Sequence, residues 1–333
     1  MRDMRRFIGY GWQGLVPPQY LMLKRRFKRV ILEPPDYNPG SWRGAGKVLV
    51  DYDSHEFWLT TRPRRRPPLR GYAVEIYSSR NGEDYALELT ISKEELSEIC
   101  KLRILSIEGQ QLLRDPLTGK YHLYLAVDVD RPPRPGWDTL LLVADDPKGP
   151  WESKGLVIRR DAVFDIAEAR DATIDIIDGR YFALYKANDG LHVRMALAVS
   201  HDGVEWKKLG VLSVDGSEPY TYFLLYGRIL SGGLGIVFMG FESIYVVKGA
   251  AVSNTFSSYI IDYRNMNLET LFKSWWKPLS PYERTDYPVH SYADIVYDPF
   301  RNRILIYIEA IDPRSIGLNE EVDRLLLYEV PLE

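Results

Sequence analysis

The residues with the most chemistry per unit length are Glu168-Ala169-Arg170-Asp171, two carboxylates and a guanidinium within four positions. Paired carboxyls in unlike surroundings can divide the work of proton donor and proton acceptor. A second acid, Glu108, precedes an apolar run, and Asp128, Glu218 and His290 also sit at the edges of strand-like segments. Cations are placed in the same way: Arg43 after Trp42, then Arg62, Arg170 and Lys186. Guanidinium presents a fork suited to carboxylate or phosphate, so these residues could bind an anionic or hydroxyl-rich ligand.

What must position them is a repeated set of strands. Pairs of short apolar runs separated by a polar turn recur five times, at 47–50 and 57–61, 111–113 and 121–127, 173–177 and 181–186, 222–226 and 235–239, and 295–297 and 303–308. Outer runs follow most pairs, at 72–78, 139–144, 156–158, 194–199 and 209–212. Four strands per unit predicts a β-propeller, here a single all-β domain over 1–333 with five blades near 44–105, 106–165, 166–214, 215–264 and 287–333. The strand-like segment 29–32 has no blade of its own and is expected to complete the last one, removing free sheet edges. The segment 265–287, with Trp275-Trp276, is expected to be a strandless insert capping one face.

In such a blade the start of the inner strand and the end of the second strand share one face. That face collects Trp42, Arg43, Glu108, Glu168 to Asp171, Glu218 and His290 from the first set, and Arg62, Asp128, Lys186, Glu242 and Asp312 from the second. The stretch 62–70 is expected to be a proline-rich basic loop at its lip.

Composition narrows the class. The 333 residues are 45% hydrophobic, with 23 Tyr, 8 Trp and 11 Phe, which suits a strand-rich globule. A net charge of −3 gives no global reason to bind nucleic acid or an anionic membrane. Cys100 is the only cysteine, which excludes an intrachain disulfide and fits a reducing cytoplasm. The basic start at 1–6 is followed by a stretch broken by Gly, Gln and Pro, so neither a signal peptide nor a membrane span of about 18 apolar residues is expected. Four Gln among many Arg and Glu suggest a thermophile.

The order of several short motifs carries a resemblance. Ser106-Ile107-Glu108, Gln111-Leu112-Leu113 and the turn Asp115-Pro116-Leu117-Thr118-Gly119 before Tyr121 resemble the second blade of arabinanase- and β-xylosidase-like propeller hydrolases. Ala169-Arg170-Asp171-Ala172-Thr173-Ile174 resembles their third blade, and Gly149-Pro150-Trp151-Glu152 and Ser200-His201-Asp202-Gly203-Val204-Glu205-Trp206 resemble their outer-strand turns; the resemblance covers about 31–333. The resemblance implies a glycoside hydrolase acting by inversion on a carbohydrate, with Asp171 or Glu168 as general acid and Glu108 as a partner carboxylate. It also implies an aspartate before the first inner strand, where this chain has Arg43-Gly44-Ala45-Gly46.

Related mannoside phosphorylases need no carboxylate base, because phosphate attacks directly, and Arg62, Arg64, Arg170, Lys186 and His290 would suit that alternative. A non-catalytic carbohydrate-binding propeller is the third reading. No cofactor is required; with one axial histidine a transition-metal site is not expected, whereas a hydrated calcium near His290 and Asp294 would be compatible with the fold. Arg114-Asp115-Pro116 lies in a hairpin turn at the far face, so Asp115, like Asp298, is expected to be structural. Trp42, Trp137, Trp275 and Trp276 are candidates for stacking on sugar rings. Sugar identity, linkage and oligomeric state are left open.

Overall fold

The computed structural model describes residues 18–177, 179–217, 224–229, 236–242, 245–247, 250–252, 255–285, 290–315 and 321–332. Nearly all of the regular structure is β. Among the described residues there are two short α-helices, α1 (Pro18–Lys24) and α2 (Lys93–Cys100). Among the described residues no helix is long and apolar enough to cross a membrane.

The strands form antiparallel meanders of four. The first runs through Trp42–Asp51, Glu56–Arg65, Ala73–Ser79 and Ala86–Ser92. The second comprises Ile104–Arg114, Tyr121–Val129, Gly136–Ala144 and Glu152–Ile158. Glu168–Ile177, Arg180–Asn188, Val193–Ser200 and Trp206–Val211 make the third. The fourth contains Leu224–Ile229, Ile236–Glu242, Thr255–Asp262 and Asn267–Trp275. In the fifth, His290–Asp298, Arg303–Ile311 and Asp323–Pro331 are joined by the N-terminal strand Arg26–Leu32, which pairs antiparallel with Asp323–Pro331.

Apolar side chains cement neighbouring meanders face to face. Val74 and Ile76 of the first pack with Leu112 and Leu123 of the second, and Tyr124 and Leu141 of the second with Ile174 and Ala183 of the third. Leu184 and Leu197 meet Tyr259 and Leu268 of the fourth. Val48 and Phe57 of the first meet Leu305 and Leu325 of the fifth. These faces bury the alternate residues of each strand, the main hydrophobic contribution to stability. The first strands of successive meanders also touch one another, and that of the fifth touches that of the first. We call these five the inner strands.

Two expectations are corrected. The segment 265–287 is not strandless: Asn267–Trp275 is the fourth strand of its meander, and Trp276 is buried against Leu21, Ile306 and Tyr328 rather than offered to a ligand. The stretch 62–70 is not a free loop, since the second strand continues to Arg65, pairs with Arg70–Gly71, and buries Arg62 completely. The turn aspartates behave as expected. Asp115 accepts from the Leu117 N–H and the Thr118 hydroxyl, and Asp298 accepts from the Phe300 N–H and from Arg303.

Candidate active site

Four of the five inner strands share one irregularity. Pairing with the second strand breaks between Gly44 and Lys47, Ile107 and Gln110, Arg170 and Thr173, and His290 and Ala293. A bulge re-aims side chains at a strand end. These four bulges occupy equivalent places in the register, so Ala45, Glu108, Asp171 and Ser291 are positional counterparts. Asp171 has φ +53°, within a long strand, whereas the other described non-glycine residues at positive φ lie at turns, at a helix cap or at the edge of a two-residue strand. Aspartate tolerates this region better than most residues, and such strain collects at functional sites.

The two carboxylates are held by cations at the same level. Asp171 Oδ2 accepts from Lys186 Nζ at 2.8 Å, its Oδ1 from the Gly109 N–H at 3.2 Å, and Arg170 Nε stands 3.9 Å away. Burial pushes the Asp171 carboxyl up, but Lys186, Arg170 and these hydrogen bonds outweigh it and lower the pKa to about 2. Glu108 contacts Arg62 at 2.9 Å and also Arg64. Burial pushes Glu108 up as well, and Arg62, Arg64 and Arg170 together bring it below the usual carboxylate range. Both groups are therefore anions at neutral pH. Arg62 is wholly buried, and its Nε, Nη1 and Nη2 make no aligned hydrogen bond among the described residues, so its hold on Glu108 is a charge contact.

Aromatic rings back the half-exposed guanidiniums. Arg64 lies over Trp42 at 4.4 Å and Arg170 over Trp137 at 4.7 Å, while Glu168 pairs with Arg170 at 3.0 Å. Cation–π contact fixes such side chains at a mouth without consuming their donors. Asp128 pairs with Arg70 at 2.6 Å, and Arg70 also faces Trp137. Arg43 is turned elsewhere, bound by Glu75, by the Tyr77 hydroxyl at 2.8 Å and by the Glu33 carbonyl at 2.8 Å. Asp312 is likewise committed, to Arg314 and Arg324. Glu218 lies outside the described residues, as do the side chains of His290 and Glu242.

Below the bulges a polar layer ties the inner strands together. Lys47 Nζ donates to Gln111 Oε1 and Thr173 Oγ1, each at 3.0 Å, Gln111 Nε2 donates to the Ile174 carbonyl at 2.6 Å, and the Val48 N–H donates to Asp294 Oδ2 at 2.8 Å. Among the described residues no group of three His, Cys, Asp or Glu is placed to hold a metal ion.

Sequence reasoning missed a second acidic group. Glu309, Glu321 and Asp323 of the fifth meander and its approach are all buried. Burial first, then Glu309, raises Glu321 to about 8 against the pull of Arg284 and Arg64. The available signal was Glu309 itself, a lone acid in the apolar run Leu305-Ile306-Tyr307-Ile308-Glu309-Ala310-Ile311.

No protein-family model matches the sequence, and no curated protein matches it. Solved structures do match in fold. A thermostable family-43 glycoside hydrolase superposes with a TM-score of 0.62 at 12% identity, over 89% of this chain and 91% of that one. The β-1,2-mannobiose phosphorylase from Listeria innocua, solved with β-1,2-mannobiose, gives 0.58 at 12% over 92% and 96%. An N-acetylgalactosamine deacetylase from F. plautii, in complex with blood group B trisaccharide, gives 0.64 at 10% over 91% and 94%. The chain thus has the propeller-like fold of glycoside hydrolases and phosphorylases.

Proposed function

We propose that the protein is a carbohydrate-active enzyme that cleaves glycosidic bonds, with its meanders forming the blades of a five-bladed β-propeller closed by the strand Arg26–Leu32. The observation carrying this reading is that Glu108 and Asp171 occupy the same bulge position on neighbouring inner strands, facing Arg62, Arg64, Arg170 and Lys186 at one mouth. The fold alone would not suffice, since similar folds serve different chemistries.

Glycosidic cleavage needs a proton for the leaving oxygen and negative charge beside the oxocarbenium-like transition state. Asp171, ionised and rigidly held, fits the second requirement as the carboxylate that activates water; in this state it carries no proton to donate. Glu321, with its pKa near 8, fits the first. Environments that drive two carboxyls to opposite protonation states are what acid–base assignments rest on. Arg64 and Arg170 would hold substrate oxygens, with Trp42 and Trp137 behind them.

Phosphorolysis is the second reading. It is favoured by Ala45 standing where a carboxylate would be needed, and by four cations around the bulges. The test is sugar release from arabino-, xylo-, manno- and gluco-oligosaccharides with and without inorganic phosphate. Release without phosphate supports hydrolysis, and strictly phosphate-dependent formation of a sugar phosphate supports phosphorolysis. Saturable oligosaccharide binding without turnover would leave a binding protein and defeat the enzymatic reading.

A further inference from the structure

The first inner strand is the odd member of the site. Where its neighbours carry Glu108 and Asp171 it carries Ala45, flanked by Gly44 and Gly46. The space beside it is used from another direction: a Cβ on Gly44 would overlap the carboxylate of Glu309. Glu309 itself lies opposite the bulge of the fifth inner strand, because His290 pairs with Ala310 and Ala293 with Ile308.

On the adjacent strand Asp323 stands opposite Ile311, which places it diagonally from Glu309 on the same face. Both side chains are wholly buried, and Glu309 stands near enough to Asp323 to raise its pKa. Neither carboxylate oxygen of Asp323 receives a hydrogen bond from the described residues. Two carboxyls buried in contact cannot both be ionised at ordinary cost, and one proton held between them satisfies both.

We propose that Glu309 and Asp323 share a single proton behind Gly44 and in that state leave Arg62 on Glu108, so that the pair positions the site from the last meander where the first inner strand offers no carboxylate. Arg62 is the link, being wholly buried and acted on by Glu108, Glu309 and Asp171 alike. With the pair at a single negative charge, Arg62 serves Glu108. Loss of the shared proton places a second negative charge beside Arg62 and draws the guanidinium from Glu108 toward Glu309. Asp323 is also acted on by Glu321, on the approach to the same strand, and by Arg62 on the second strand of the first meander; Glu321 in turn is acted on by Arg284 and Arg64, and Arg62 by Tyr292 on the fifth inner strand. Burial, then Glu309 and Glu321, hold the Asp323 carboxyl well above the carboxylate range against the opposing pull of Arg62.

The kinetic part of this inference rests on the glycoside-cleaving reading, and the protonation part does not. Infrared spectra of the full chain at pH 7 are expected to keep a carboxylic-acid band in Glu321→Gln and to lose it in Glu321→Gln combined with Asp323→Asn. Absence of the band in the single variant overturns the shared proton. On whichever oligosaccharide is turned over, the alkaline limb of kcat/KM is expected to carry two ionisations in the wild type, that of Glu321 and that of the shared proton, and only the Glu321 step in Glu309→Gln, because the glutamine cannot ionise, whereas a merely structural role would lower activity equally at every pH. An unchanged alkaline limb overturns the link to Arg62. A panel without turnover defeats the glycoside reading and leaves the infrared result to decide the shared proton.

Discussion

The two halves of the site use the same residue type in opposite ways. On the second and third inner strands, Glu108 and Asp171 each meet a buried cation and are held as anions. On the fifth meander and its approach, Glu309, Glu321 and Asp323 are buried close together, and the acidity of Glu321 and Asp323 falls instead. Backbone geometry does not separate them, since the bulge recurs in both places. The difference lies in what stands on the neighbouring strand: Lys186 and Arg62 in one half, another carboxyl in the other. A protein can thus set acid and base on one scaffold by the choice of cross-strand partner.

That contrast can be broken most severely at Arg62. Arg62→Met takes the wholly buried guanidinium from Glu108 and leaves Arg64 as the remaining cation in contact with it; breaking a buried pair typically costs about 3–5 kcal/mol, and a loss toward the lower end of that range is expected, read as a lowered urea midpoint. A variant of wild-type stability would show that Arg62 does not neutralise Glu108. Gly44→Ala attacks the other half, where the added methyl meets the Glu309 carboxylate. The expected loss is about 1–3 kcal/mol, and it should shrink in Gly44→Ala combined with Glu309→Ala; strict additivity in that cycle would mean the two positions do not touch.

The halves should also part with pH. Glu321 and Asp323 have raised pKa values in the folded chain, so the unfolded chain releases their protons first. Their contribution to stability should decline from about pH 4 until pH passes the folded value, near 8 for Glu321. Asp171 is depressed from 3.8 to about 2, so its contribution is present above 3.8 and is lost as pH falls toward 2. Thermal melting of Glu321→Gln should flatten the neutral decline and leave the acid decline in place. A neutral decline as steep as wild type would contradict the assignment. The smallest effect expected is remote from the site. Ser92 and Glu95 form a reciprocal capping box on α2, and Ser92→Ala should cost about 1 kcal/mol without altering any pH dependence.

The strand repeat was legible because alternation and hairpin turns are local signals. So were the turn roles of Asp115 and Asp298, and the convergence of Glu108, Arg62, Arg170, Asp171 and Lys186, which follows from strand order. The fourth strand of the fourth meander was not, because Asn267-Leu268-Glu269-Thr270-Leu271-Phe272-Lys273 mixes charges into the alternation expected of an outer strand. Helix α2 was missed although Ser92-Lys93-Glu94-Glu95 announces it, its eight residues offering little periodicity. Arg43 and Arg62 read alike in sequence. Only register separates them, sending one to Glu75 and Tyr77 and the other under the site to Glu108. The pairing of Glu309 with Asp323 depends on the alignment of two strands and has no sequence motif.

The central claim is that glycosidic cleavage takes place at the bulged ends of the inner strands. It is tested most directly by comparing oligosaccharide turnover in Asp171→Asn with that in Asp115→Asn, whose aspartate caps the hairpin at the far end of an inner strand. The account predicts that Asp171→Asn lowers kcat by about 10²–10⁴-fold in a folded protein, while Asp115→Asn retains turnover after a small loss of stability. Equal turnover in Asp171→Asn and wild type would contradict it.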